Sequence, residues 1–253
     1  MPTLHLLGTG AAVSDPHRTT TMLAVTDDES DQRSTILVDC GADVLQRLRE
    51  CSVSVQRVAG LIVTHGHPDH CSGFPLFMER LWLYGHHEAI PVLGISAAIE
   101  QVRRTWDAFA SITEEWDTPE IDFRVTDPTP AATMWHDPVW RVASWPVKHG
   151  IDNVGLRFEH GPTGRVIAYS CDTEPCPAVV QLSKGADLLV HEATGATEGH
   201  SSAVQAAETA REAGVERLVL VHLPGGDKAD DLTAAREVFP NTELGAELGR
   251  YDV

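Results

Sequence analysis

Apolar positions along the chain follow two periods, and the switches between them mark out strands and helices. "TLHLLGTG" is a short apolar run stopped by glycines, and "TTTMLAV" and "STILVDCG" flank the polar stretch "TDDESDQR" as hairpin strands flank a turn. In "ADVLQRLRECSV" the period changes, placing Ala42, Leu45 and Leu48 on one helical face. A second helix is predicted over "GFPLFMERLWLYG", a strand over "AIPVLGI", and a long helix over "SAAIEQVRRTWDAFASI" with Ser96 as its cap. From Glu114 to Pro138 Asp, Thr and Pro accumulate, which predicts short strands at best, in a rim, a lid or a plain connection. Strands then dominate: "WRVASWPVKH", "NVGLRFEH", "RVIAYSCD", "DLLVHEA" and "RLVLVH". The helix "SSAVQAAETAREAG" separates the last two, opening with Ser201 and ending at Gly214.

Five apolar strands run into a metal-capable residue. "LIVTH" ends at His65, "WPVKH" at His149, "VIAYSCD" at Asp172, "LLVHE" at His191 and Glu192, and "LVLVH" at His222. Side chains just beyond strand ends are aimed by rigid elements into a shared crevice, where active groups gather. The first strand leads straight into "HGHPDH" (His65 to His70), three histidines and an aspartate in six positions. His65 and His67 alternate and can face one metal, while Gly66 allows a tight turn and Pro68 redirects Asp69 and His70 towards a second.

The inventory fits two ions. His65, His67 and His149 hold one; Asp69, His70 and His222 the other; Asp172, with two carboxylate oxygens, bridges them. A pair of cations about 3.5–4 Å apart clamps a bridging hydroxide whose pKa falls to around 7. Zinc suits imidazole and carboxylate donors best, with manganese or iron(II) as alternatives. His191 is read as pointing away into a sheet and stays outside the ligand set.

Composition narrows the function further. The chain has 253 residues, enough for one large domain, here read as a single domain over 1–253. Nineteen basic residues face 37 acidic ones, a formal charge of -18, and only Lys148, Lys184 and Lys228 are lysines. Such a surface repels polyanions at long range and suits either a salty cytoplasm or simple solubility. Five scattered cysteines without a CxxC pair argue against a disulfide framework, and Cys71 and Cys171 are expected to be small buried thiols. No apolar run approaches a membrane span and the N-terminus lacks a secretion signal, so the expected location is the cytoplasm. "GTG" at Gly8 to Gly10 lacks the third glycine of a dinucleotide fingerprint, so no organic cofactor is expected there.

"HGHPDH" with downstream His, Asp and His at strand ends resembles the signature of the metallo-β-lactamase superfamily, over nearly the whole chain. Within it, "GTGAAVSDPHRTTT" and "HEATGATEGHSSAVQAAETAREAGVERLVLVH" look most like the ribonuclease Z branch of phosphodiesterases. The resemblance implies an α/β (α+β) fold, an αββα sandwich of two mixed sheets with helices on the outer faces and the metals at one edge. It also implies that Glu192 of "HEAT" and His200 assist catalysis, with Asp69 counted as both ligand and catalytic carboxylate. A carboxylate that orients an imidazole lets the ring donate a proton to the leaving oxygen.

The expected function is hydrolysis of a small or cyclic phosphodiester. The first alternative is tRNA 3′-end endonuclease activity; hydrolysis of a lactone, thioester or sulfate ester and di-iron redox chemistry follow. RNA is placed second because tRNA-processing members typically carry a basic arm between the residues matching His149 and Asp172. The segment here, "GIDNVGLRFEHGPTGRVIAYSC", has room only for two strands and a turn. A homodimer is the expected assembly, as in many relatives, and no membrane partner is expected.

Overall fold

The computed structural model describes residues 1–13, 15–30, 33–110 and 116–253. These residues form two seven-stranded sheets, each with its strands in nearly sequential order. The first sheet takes β1 (Pro2–Gly8), β2 (Met22–Asp27), β3 (Thr35–Val38), β4 (Val58–Val63), β5 (Ile90–Gly94) and β6 (Ile121–Val125). The second takes β7 (Ala132–His136), β8 (Trp140–Pro146), β9 (Val154–His160), β10 (Val166–Tyr169), β11 (Leu188–Glu192), β12 (Leu218–Val221) and β13 (Thr242–Leu244). A last strand, β14 (Arg250–Asp252), returns to pair antiparallel with β1.

Each sheet changes character halfway. β1, β2 and β3 pair antiparallel, as do β7, β8, β9 and β10. The remaining neighbours pair parallel, from β3 through β6 and from β10 through β13. Parallel neighbours need a crossover, and the helices supply it. α1 (Val44–Glu50) joins β3 to β4; α2 (Pro68–Cys71) and α3 (Phe74–Leu83) join β4 to β5; α4 (Ser96–Asp107) leads towards β6. In the second sheet α5 (Pro177–Ser183), α6 (Ala203–Ala213) and α7 (Ala229–Val238) do the same.

Strands covered on both faces read as continuous apolar runs, and the alternation within them defines the layers. On β12, Val219 and Val221 join a core shared by both sheets and the helices of the first, whereas Leu218 and Leu220 join a second core beneath the alanines of α6. Ala203, Ala206, Ala207, Ala210 and Ala213 let that helix lie close on the sheet. Helix, sheet, sheet, helix is the expected αββα order, and its mixed sheets agree with the expectation.

α1 starts at Val44 behind its cap Asp43, so Ala42 stands outside the helix expected to include it, and the two caps read from the sequence, Ser96 and Ser201, each lie one residue from the observed one. Ile95 occupies the cap position of α4, in extended backbone, and Ser96 is its first helical residue. β5 ends at Gly94, so the strand turns into the helix within one residue and Ile95 has to serve; its carbonyl accepts from Ile99 N–H at 3.0 Å. The helix closes at Asp107, and Ser111 and Ile112 of its predicted end lie outside the described residues. The cap of α6 is Ser202, in a reciprocal capping box with Gln205, because Ser201 is spent elsewhere. Gly214 closes that helix in the left-handed region at φ +67°, as expected. The Asp-, Thr- and Pro-rich stretch supplies β6 and β7, the last strand of one sheet and the first of the other; its residues 114 and 115 lie outside the described residues.

Candidate metal centre

The C-terminal ends of β4, β10, β11 and β12 and the loop after β8 meet at one edge of the sandwich, between the sheets. All seven residues read as ligands are brought together there, in two neighbouring groups, His65, His67 and His149 beside Asp69, His70, Asp172 and His222. His65 Nε2 lies 3.0 Å from His67 Nδ1, and His149 Nε2 lies 3.2 Å from the same atom. Beside them, Asp172 Oδ2 stands 3.3 Å from His222 Nε2, 3.4 Å from His70 Nε2 and 4.0 Å from His65 Nε2. Asp69 Oδ2 closes the second group at 3.3 Å from His222 Nε2 and 3.5 Å from His70 Nε2. Asp172 therefore faces histidines of both groups, the position expected for a shared ligand.

Burial sharpens the chemistry. His65, His70, Asp172 and His222 are buried, while His67, Asp69 and His149 are half-buried on the open side. Burial, followed by the neighbouring His70, pushes the His65 imidazole far below its usual range, so it is a neutral donor. His67 is lowered in the same way, by burial and then by His149. Burial works against the charge of Asp172, but His222 and His70 outweigh it and hold the carboxyl well below the usual range. For His70 burial is likewise the largest influence, and the carboxylates of Asp172 and Asp39 overcome it and raise the ring well above its usual value.

The residues fit divalent cations. His70 Nε2 and Asp172 Oδ1 are buried without a hydrogen-bond partner among the described residues. Two unsatisfied buried groups at one point are costly unless something binds them. The donors, imidazole nitrogens and carboxylate oxygens, are those that zinc and similar ions take.

Behind these groups stands a second layer that the sequence reading missed. His70 Nδ1–H donates to Asp39 Oδ2 at 2.8 Å, and Thr64 anchors the same carboxylate through its amide and hydroxyl. His65 Nδ1–H meets Thr64 Oγ1 at 3.1 Å, His222 Nδ1 meets Thr194 Oγ1 at 2.7 Å, and His149 Nδ1–H donates to the Gly199 carbonyl at 2.8 Å. Such bonds fix the tautomer and the ring orientation, leaving the other nitrogen facing the shared site. Asp39, Cys171 and His222 hold left-handed backbone, with φ of 61°, 52° and 53°. Strain of this kind concentrates where a site over-determines the chain.

Glu192 and His200 also arrive at this edge. His200 Nδ1 lies 3.2 Å from Glu192 Oε1, and the Glu192 carboxylate is held by the amides of Thr173, Thr194 and Ser201. The bond to Glu192, opposed by burial, raises the His200 pKa above its usual value. Its ring stacks on His222 at 5.6 Å and meets His149 edge-on at 5.3 Å. The alternation of β11 explains His191: Glu192 faces the site, so the preceding residue faces away, buried, with Nδ1–H donating to the Glu192 carbonyl. Cys71 and Cys171 are buried thiols, as expected, and burial pushes both up, Cys71 to about 11. Cys171 lies within ligand reach of His65 and His70, but its Sγ–H donates to Thr64 Oγ1.

Residues 34–223 match the beta-lactamase superfamily domain. Ribonuclease Z of Salinibacter ruber is 32% identical over 306 residues, covering 98% of this chain and 93% of that protein. Ribonuclease Z of Methanothermobacter thermautotrophicus is 28% identical over 303 residues, covering 98% and 95%. Both alignments exceed the 253 residues of this chain, so both relatives carry insertions that it lacks. Human tRNase Z, short form, superposes with a TM-score of 0.80 at 21% identity, covering 99% of this chain and 98% of that structure. At that identity the likeness is one of fold.

Proposed function

Since the chain belongs to the beta-lactamase superfamily and is a metal-dependent hydrolase with ribonuclease Z relatives, we propose that it cleaves a phosphodiester bond of RNA. The observation that carries this reading is the Glu192–His200 pair standing against the His149 and His222 rings of the metal centre. Cleaving a diester with a poor leaving group needs charge neutralisation and a proton donor at the same bond.

In this reading His65, His67 and His149 hold one ion, Asp69, His70 and His222 a second, and Asp172 both. When bound, two zinc ions neutralise phosphoryl charge and bring water ionisation near neutral pH. Asp69 faces the same space and takes the proton of the attacking water. Glu192 engages His200 Nδ1–H and stabilises the charged ring, leaving the Nε2 proton for the departing oxygen. The three amides on Glu192 hold that carboxylate in place, so His200 is aimed without searching.

The relatives' names favour RNA over the small or cyclic diester that the sequence reading placed first. One observation still favours the small diester: His149 and Asp172 are separated only by the hairpin β9–β10 and its flanking loops. The purified, zinc-loaded protein should be given a precursor tRNA, a dinucleotide and a cyclic nucleotide in parallel. Trimming of the precursor at its 3′ end supports the ribonuclease reading; turnover of the small diesters alone supports the second; neither activity, with metal bound, refutes both. His200→Ala should slow the active reaction by about 10²–10⁴-fold with metal content unchanged.

A further inference from the structure

We propose that Glu174, half-buried at the rim of the site, is a positioning residue that locks His149 and His200 to one another. The role rests on the phosphodiesterase reading for His200, while its hold on His149 stands on geometry alone.

Glu174 follows Asp172 by two positions and bonds in three directions. Its amide donates to the Lys148 carbonyl at 2.8 Å, which ties the end of β10 to the chain just before His149. Its Oε2 accepts from Lys148 Nζ at 2.5 Å, and its Oε1 accepts from the Gly199 amide at 3.1 Å. Gly199 is the junction. Its carbonyl receives His149 Nδ1–H at 2.8 Å, and the residue after it is His200.

Gly199 also sits close against His149, where any other residue would be strained. It holds φ +80°, and a Cβ there would stand 3.0 Å from His149 Nδ1. The Gly199 peptide therefore rests directly on the imidazole, and a shift of one moves the other. The loop from 195 to 201 is anchored at its far end by Glu192, through Ser201 N–H and His200 Nδ1. At the near end, Glu174 is the side chain that holds the Gly199 amide. Without it, the carbonyl that orients His149 and the backbone that carries His200 are held from one side only.

This differs from an ordinary surface ion pair. An exposed Lys148–Glu174 pair alone contributes little, since solvent screens it. The bond to Gly199 N–H is the one that matters, and it needs an acceptor oxygen, not a charge. Glu174→Gln keeps that oxygen; Glu174→Ala removes it.

The test compares both variants with the wild type in two ways. Competition with a chelator measures zinc retention. Turnover is measured on a dinucleotide, a poor leaving group, and on a nucleotide 4-nitrophenyl ester, a good one. Glu174→Ala should hold zinc about tenfold more weakly and lose about tenfold in kcat on the dinucleotide, with a smaller loss on the nitrophenyl ester. Glu174→Gln should stay near wild type in both. Zinc retention unchanged in Glu174→Ala, equal losses in both variants, or equal losses on both esters would overturn the proposal. If the wild type cleaves neither ester, the phosphodiesterase reading fails instead, and the chelator competition still decides whether Glu174 holds His149.

Discussion

His70 shows how the site is assembled one side chain at a time. Its Nδ1 is committed to Asp39, and its Nε2 lies 3.4 Å from Asp172 and 3.5 Å from Asp69 without a hydrogen bond to either. Removing the acceptor frees the ring to rotate and strands the Thr64 bonds. Asp39→Ala should therefore weaken zinc binding by about 10–100-fold, read by chelator competition; an unchanged affinity would show that packing alone aims His70. The seven residues proposed as ligands were legible because each ends an apolar run or sits in "HGHPDH". Asp39 obeys the same rule in "STILVDCG", yet no local pattern says that β3 lies beside β4. Only their parallel pairing, Val38 opposite Ile62, puts Asp39 next to Thr64 and His65. The Gly199 carbonyl had no signal at all, since a backbone atom leaves no mark in residue type.

Elements with strong periodicity were readable, and those held by distant partners were not. β11 and β12 are short strands opening on apolar runs and buried at every position. β14 has three residues, and its register sets Thr3 against Asp252 and His5 against Arg250, across nearly the full chain. Side chains reinforce that return: Thr3 Oγ1 donates to Asp252, and Arg250 donates to Asp28 at 2.7 Å. Burial works to raise the Asp28 pKa, but the Thr26 hydroxyl and the Arg250 guanidinium outweigh it and hold the carboxyl below the usual 3.8. A depressed pKa in the folded state means stability present above about 3.8 and lost as pH falls through the lower folded value. Asp28→Asn should thus cost less than about 1 kcal/mol of unfolding free energy at neutral pH given its solvent exposure, read as a lower urea midpoint. The gap to wild type should close in acid. A gap that widens below that pH would contradict the assignment.

Across the whole molecule, charge and fold pull in different directions. A chain at -18 approaches a polyanion against repulsion, yet its relatives bear the name ribonuclease Z. Screening decides how strongly the repulsion is felt, because the Debye length shrinks to about 8 Å at physiological salt. Raising monovalent salt from low to physiological strength should therefore increase kcat/KM on RNA, and far less on a singly charged nucleotide 4-nitrophenyl ester. A fall in kcat/KM on RNA would reveal a local basic surface that outweighs the net charge. Among the described residues no helix is long and apolar enough to cross a membrane. The sandwich itself places the ends of β4, β10, β11 and β12 at one edge, and the proposed hydrolysis depends on metal being held there. Elemental analysis of the purified wild type beside Asp172→Ala tests that most directly. Two divalent ions per chain in the wild type, with clear loss in the variant that lacks the shared carboxylate, is the predicted result; one ion or none in the wild type, or two in Asp172→Ala, would contradict it.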